Sequence, residues 1–288
     1  MICFHHNDLD GRCAGAVVKL WHDGAKNPGE RTEFVELDYK DTVPLGKVAP
    51  GELTVIVDLS FKPDITEQLL TVTPQVIWID HHKVILDAPE FMRKLRGIRS
   101  RDFSGCELAW QFFFPGITPP PQAVQLIGDM DAWKWKLDAT EQFCLGLMKL
   151  SHKPTDQIWK ELLRRPLSDE AEALMSKIVS DGRICQGFRD AICRDYAASF
   201  GFETEFEGHR AFACGFYEFG SKFFQEKMDQ YPICLSFEFD GEKWAVGLYS
   251  KTLDVGEIAK RHGGGGHTGS AGFVADSLEL RKVAGGGK

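Results

Sequence analysis

The feature that most limits what this chain can become is a set of short apolar runs that each stop at an acid or a histidine. Ile2-Cys3-Phe4 leads to His5-His6, Val55-Ile56-Val57 to Asp58, and Val76-Ile77-Trp78-Ile79 to Asp80-His81-His82. Runs this short and this apolar read as strands buried on both faces, the condition of a parallel sheet. Between them lie helical candidates, Arg12 to His22 and Asp64 to Thr71. This βαβ alternation predicts an α/β fold with an open, doubly wound, mainly parallel sheet. Ligands of such sheets bind beyond the carboxyl ends of the strands, which is where these polar residues cluster.

Beyond this region the pattern changes. From Ser168 to about Phe200, Leu174, Ile178, Cys185, Phe188, Ile192 and Tyr196 fall mostly three, four or seven apart behind Pro166-Leu167-Ser168, which predicts a long helix. Next, Phe202–Phe206 and Arg210–Cys214 flank Gly208, and Ile233–Phe239 and Lys243–Tyr249 flank Asp240-Gly241, a tight-hairpin signal. The expected organisation is a first domain over 1–150, a helical linker over 151–200 and a smaller mixed α/β domain over 201–288. A length of 288 residues with 43% hydrophobic content suits that division.

A net charge of −8 argues against broad gripping of nucleic-acid backbones, which calls for a basic surface. No stretch approaches the roughly 18–20 apolar residues that span a bilayer, and Met1 to His6 lacks a signal-peptide layout, so the chain reads as cytoplasmic. The eight cysteines are scattered without a CxxC pair and read as buried thiols.

A pair of metal ions needs carboxylate oxygens, imidazole nitrogens and a carboxylate able to bridge ions about 3.5–4 Å apart. His6-Asn7-Asp8-Leu9-Asp10-Gly11 places a histidine and two acids on one strand-to-helix turn, where Gly11 lets the chain turn sharply. Asp58 reaches in from a neighbouring strand end, Asp80-His81-His82 from another, and Gly128-Asp129-Met130-Asp131 adds further acids. Each has a bland alternative: Asp58, for one, is placed to cap the helix after Pro63. Together, carboxylates converging at a sheet edge repel one another unless cations neutralise them. Ser104-Gly105-Cys106-Glu107 fits a capping box, which is sufficient structural reason for Ser104 and Glu107; a helix N-terminus facing the site is the lesser alternative. Trp133, Trp135 and Phe112-Phe113-Phe114 read as core rather than as a base-stacking platform.

The order His6-Asn7-Asp8-Leu9-Asp10-Gly11, Val57-Asp58, Asp80-His81-His82 and, far downstream, Gly264-Gly265-Gly266-His267 resembles the motifs of the DHH phosphoesterases with their DHH-associated C-terminal domain. Relatives include RecJ-type exonucleases, short-oligonucleotide nucleases, cyclic-dinucleotide phosphodiesterases and manganese inorganic pyrophosphatases. The resemblance implies two manganese ions, with magnesium or cobalt as substitutes. One would be held by His6, Asp8 and Asp58, the other by Asp10, Asp58, His81 and an acid of the fourth motif. His6 is preferred over His5, and Asp131 over Asp129. The resemblance further implies that Asp80 orients an imidazole and that His82 meets the scissile phosphate or the leaving oxygen. Gly264, Gly265, Gly266 and His267 would bind substrate phosphate, after Asp254-Val255-Gly256-Glu257-Ile258-Ala259-Lys260. Tyr249, Lys251, Lys260 and Arg261 are left open as further contacts.

The expected activity is hydrolysis of phosphodiester bonds in short oligonucleotides or cyclic or linear dinucleotides by a hydroxide that two metals activate, with Asp58, His82 and Asp80 as the catalytic group. A second domain closing over a cleft favours short substrates over long duplex nucleic acid. The runner-up is an inorganic pyrophosphatase or exopolyphosphatase, although this C-terminal segment is poor in the lysines and arginines that such anions demand. A third reading is a non-catalytic, metal-binding regulatory module. No membrane partner is expected, and the chain would act as a monomer or homodimer.

Overall fold

In a computed structural model, residues 1–25 and 30–283 are described. The first elements are β1 (Ile2–His6), α1 (Leu9–Ala25), β2 (Glu33–Leu37), β3 (Thr54–Val57), α2 (Pro63–Val72) and β4 (Val76–Ile79). They are followed by α3 (Glu90–Arg93), α4 (Gly105–Phe113), α5 (Gln122–Asp131), α6 (Thr140–Met148), α7 (Ile158–Leu162) and the long α8 (Asp169–Phe200). The remainder comprises β5 (Phe202–Phe206), β6 (His209–Cys214), α9 (Ser221–Phe224), α10 (Lys227–Gln230), β7 (Ile233–Phe239), β8 (Trp244–Tyr249), α11 (Val255–Arg261), β9 (Gly265–His267) and β10 (Ser270–Ala275). The chain divides into two compact units, Met1–Gln186 and Gly187–Lys288, with the boundary in the sequence of α8.

The first unit carries a four-stranded, wholly parallel sheet in the order β2-β1-β3-β4. Its strands are buried on both faces because alternate residues feed two cores. Cys3, Val55, Val57, Ile77 and Ile79 pack with α1, α4, α5 and α6 on one side, while Ile2, Phe4, Ile56 and Trp78 pack with Leu69 of α2 on the other. This is the doubly wound arrangement expected. Leu69 is completely buried, so its truncation to alanine costs about 2–5 kcal/mol. Strand β2 escapes a search for apolar runs because glutamates occupy two of its five positions and only Val35 and Leu37 are buried.

The second unit holds a six-stranded mixed sheet in the order β5-β6-β7-β8-β10-β9. Both predicted hairpins form antiparallel pairs, and β6 and β7 pair in parallel. The fold is therefore the α/β sheet plus smaller mixed domain that the sequence predicts.

Some expectations are corrected. Trp133 is 60% exposed and not core, while Phe113 is buried and Phe112 and Phe114 half-buried. The cysteines are free thiols, buried except for half-buried Cys185. Tyr249 is buried in the core beside Phe224 and is no exposed platform. Lys251 pairs with Asp229, Lys260 with Glu257 and Arg261 with Glu207 in exposed ion pairs. No described helix is long and apolar enough to cross a membrane.

Candidate metal centre

Strand register assembles the site. His5 aligns with Val57, and Val57 with Ile79, so His6, Asp58 and Asp80 lie at or just beyond the ends of three adjacent strands. The sheet reverses its winding between β1 and β3, and His6 and Asp58 flank that switch point, where open α/β sheets bind ligands.

Local chemistry holds each residue in place. Asp8 accepts the Gly11 N–H at 2.8 Å and so caps α1, while its other oxygen meets His6 Nδ1 at 2.7 Å. A Cβ on Gly11 would lie 2.4 Å from the His6 carbonyl oxygen, so only glycine lets the helix start this close to β1. His5 is buried and its ring bonds to the His6 carbonyl at 2.8 Å, which leaves His6 as the histidine at the cluster. Asp10 accepts N–H groups from Gly105 at 2.6 Å and Cys106 at 3.0 Å, so the N-terminus of α4 does face the site. The Ser104–Glu107 capping box forms. Gly105 must be bare as well: a Cβ there would sit 2.5 Å from that of Asp58.

Asp58 does not cap α2, whose N-cap is Lys62. It is completely buried and takes a left-handed φ of 55°, a conformation disfavoured for a residue with a Cβ. Its Oδ1 lies 3.1 Å from His81 Nε2, which in turn is 3.3 Å from Asp131 Oδ2 and 3.9 Å from Asp10 Oδ2. Asp80 accepts the backbone N–H of His81 at 2.7 Å and meets His82 Nδ1 at 2.8 Å, with Ser60 bonded to its second oxygen. The imidazole that Asp80 orients is thus His82.

The fourth-motif acids part company. Asp129 is consumed by the fold, accepting the Lys136 and Leu137 N–H groups at 2.8 and 3.1 Å and the Thr140 hydroxyl at 2.5 Å. Asp131 faces His81 and has a buried oxygen without a partner.

These residues form three groups suited to a cation: His6, Asp8 and Asp58; Asp10, His81 and Asp131; and Asp58, His81 and His82. Within each, donor atoms lie within 4.8 Å of one another. Both oxygens of Asp58, His81 Nε2 and Asp131 Oδ2 are buried with no hydrogen-bond partner. Buried polar atoms are almost always satisfied, so four unpartnered atoms in one cluster suit a bound ligand. Burial, followed by the charges of Asp10, Asp8, Asp131 and Asp80, pushes Asp58 well above the ordinary carboxylate range. Burial and the neighbouring carboxylates push Asp131 up to about 9. Burial lowers His81 and keeps it neutral, the form in which imidazole binds metal. Burial works against the charge of Asp80, but the His82 hydrogen bond overcomes it and holds the carboxylate below its usual range. The donor set therefore fits hard divalent cations.

Tyr39 was not legible in the sequence as part of this region. Its ring lies 5.3 Å from His6 and 5.4 Å from His82. It gets there because β2, which precedes it, pairs with β1.

The glycine-rich segment has a different character. Gly265–His267 is an edge strand paired with β10. A Cβ on Gly264 would meet the Gly272 carbonyl at 2.1 Å and one on Gly266 the Ala271 Cα at 2.5 Å, so both glycines have a packing reason. Gly265 faces open space and His267 is exposed.

No protein-family model matches the chain. A curated relative, the uncharacterized protein R106 of Acanthamoeba polyphaga mimivirus, is 22% identical over 245 residues, 78% of this chain and 53% of its own. The chain thus spans about half the length of the curated relative it matches. Among solved structures, the DHH domain of a member of the s1p family of ribosomal proteins aligns over 95% of this chain and 82% of its own, at TM-score 0.59 and 14% identity. A pGpG-specific phosphodiesterase, PggH from Vibrio cholerae, aligns over 96% and 93% at TM-score 0.55 and 13% identity. An exopolyphosphatase-related protein from Bacteroides fragilis aligns over 96% and 87% at TM-score 0.51 and 14% identity. The chain has the fold of the DHH-domain proteins.

Proposed function

We propose that this protein is a two-metal, manganese-dependent phosphoesterase that hydrolyses phosphodiester bonds of short oligonucleotides or dinucleotides. The observation that carries this reading is the convergence of four orphaned polar atoms, from Asp58, His81 and Asp131, at the carboxyl edge of the parallel sheet. The fold shared with a phosphodiesterase supports it. His6, Asp8 and Asp58 would hold one ion, and Asp10, Asp58, His81 and Asp131 the other. Bound divalent ions supply Lewis acidity toward phosphate oxygens and make water a better nucleophile near neutral pH.

The protein's own groups have separate tasks. Asp58, which belongs to two of the donor groups, sets the spacing of the site from a backbone held by its N–H bond to the Ile79 carbonyl, 2.9 Å. Asp80 engages Nδ1 of His82 and so leaves Nε2 as the nitrogen that meets substrate. A proton held at Nε2 stabilises charge on the phosphate or passes to the leaving oxygen. His267 and the Gly265 N–H are assigned to substrate phosphate on the strength of the sequence motif.

The shared fold with an exopolyphosphatase-related protein favours one alternative, cleavage of inorganic polyphosphate or pyrophosphate at the same residues. A Mn²⁺ panel decides. We expect release of mononucleotides from a 5-mer and from linear dinucleotides faster than from a 30-mer, and faster than phosphate from pyrophosphate. Preference for the 30-mer overturns the short-substrate reading, and preference for pyrophosphate overturns the phosphodiester reading.

A further inference from the structure

Trp133 combines an exposed side chain with a rigidly held backbone. Its indole is 60% exposed although its φ of 54° places the chain in the left-handed region, disfavoured for a bulky L-residue. Trp135, half-buried, is left-handed as well, at φ 50°. Asp129 enforces it. The Asp129 carbonyl accepts the N–H groups of Lys134 and Trp135 at 2.9 and 3.2 Å, and the Met130 carbonyl accepts that of Trp133 at 3.0 Å. The Asp129 carboxylate secures Lys136, Leu137 and Thr140 beyond. A backbone fixed this completely around a mostly exposed side chain is not explained by burial, since most of the indole surface stays in water.

The loop adjoins the acid and histidine cluster in the chain. Trp133 follows Asp131 by two residues, so their Cα atoms are within about 7 Å. Lys134 Nζ sits 3.0 Å from Glu107 Oε2 and 5.4 Å over the Phe103 ring. Glu107 belongs to the first turn of α4, whose opening N–H groups hold Asp10. Trp135 stands edge-on to Trp133 at 5.3 Å and 80° and braces it. An accessible indole on a fixed backbone, two residues from a proposed metal-binding acid, is suited to stacking on a flat heteroaromatic base. An inorganic phosphate has no surface to offer it.

We propose that Trp133 stacks on a nucleobase of the substrate and so makes the site select nucleotidyl over inorganic phosphates. This rests on the phosphoesterase reading and assigns that site its ligand class. The test measures calorimetric Kd values for GMP and for inorganic phosphate on the Mn²⁺-loaded protein, as wild type, Trp133→Ala and Trp133→Phe. Stacking predicts that Trp133→Ala weakens GMP on the order of tenfold relative to phosphate, and that Trp133→Phe restores most of the loss. GMP should also quench wild-type tryptophan emission more than it quenches Trp133→Phe. Equal weakening of both ligands, or of neither, overturns the proposal while wild-type binding and phosphodiester cleavage leave the phosphoesterase reading intact. A wild-type protein that binds no GMP and cleaves no phosphodiester sinks that reading and this inference with it.

Discussion

At the sheet edge of the first unit, Asp58 buries two carboxylate oxygens without a hydrogen-bond partner, whereas in the second unit Gly264–His267 is closed by pairing of β9 with β10. Both stretches match motifs of one family in sequence, but their physical states differ. In the acid and histidine cluster the carboxylates crowd one another and four buried atoms have no hydrogen-bond partner. The glycine segment is complete as strand, with Gly264 and Gly266 bare because neighbouring backbone leaves no room. The contrast separates residues whose polar atoms are left unpartnered from residues that the fold itself accounts for.

The strongest way to break the comparison is Asp58→Asn. It keeps the shape but removes the charge shared by two donor groups. If Asp58 organises the ions, turnover should fall by about 10³-fold or more, equivalent to several kcal/mol of lost charge stabilisation. Mn²⁺ titration should also show weakened binding. Retention of wild-type activity and metal stoichiometry refutes the assignment.

Asp80→Asn should cost less, about 10- to 100-fold, because it removes the group that orients an imidazole and not a donor from the cluster. The distinguishing readout is kcat set against metal binding: losing the Asp80–His82 bond, 2.8 Å in the wild type, should lower kcat while Mn²⁺ affinity stays near wild type. A parallel loss of kcat and Mn²⁺ affinity would leave Asp80 a purely structural cap for the His81 N–H.

Metal removal tests the same contrast through stability. In the metal-free protein, burial and the neighbouring carboxylates push Asp131 from 3.8 up to about 9. A folded-state pKa raised above the unfolded one means that the folded state binds more protons between those values. Stability therefore falls as pH rises from about 4 to about 9. Cations remove that repulsion, so the gain in Tm from Mn²⁺ over EDTA should be larger at pH 8 than at pH 6. At a hundredfold excess over Kd the stabilisation is about 2.7 kcal/mol per ion. Thermal melts giving an equal gain at both pH values would count against the crowded-carboxylate account.

Much of this architecture was legible in the sequence because buried parallel strands advertise themselves as short apolar runs. The residues one step past each run are brought together by strand register alone. The choices left open needed three dimensions. Asp129 and Asp131 are both acids at the end of one helix, and only the turn at 133–137, folding back onto Asp129, shows which of them the fold consumes. His5 and His6 are separated by strand alternation, which a sequence states, and by burial, which it does not. Tyr39 and Trp133 stayed hidden for a related reason: aromatic residues default to the core, and exposure beside a site arises from tertiary pairing and left-handed turns that no periodicity encodes.

The smallest expected effect lies in the glycine segment and sharpens its side of the comparison. Gly266→Ala forces a Cβ to 2.5 Å from the Ala271 Cα at a φ of 145°, so it should lower Tm whether or not the segment touches substrate. Gly265→Ala meets no atom within 4 Å, so its effect on Tm should be within about 2 °C, in line with surface substitutions of up to about 0.5 kcal/mol. If the Gly265 backbone approaches a phosphate, however, the added methyl group and the constrained backbone should raise KM several-fold with kcat nearly unchanged, the signature of lost uniform binding. His267→Ala should do the same by removing a donor. A Gly265→Ala enzyme with wild-type KM, set beside a destabilised Gly266→Ala, would make the glycine run a requirement of the β9–β10 edge and leave phosphate recognition to the metal centre.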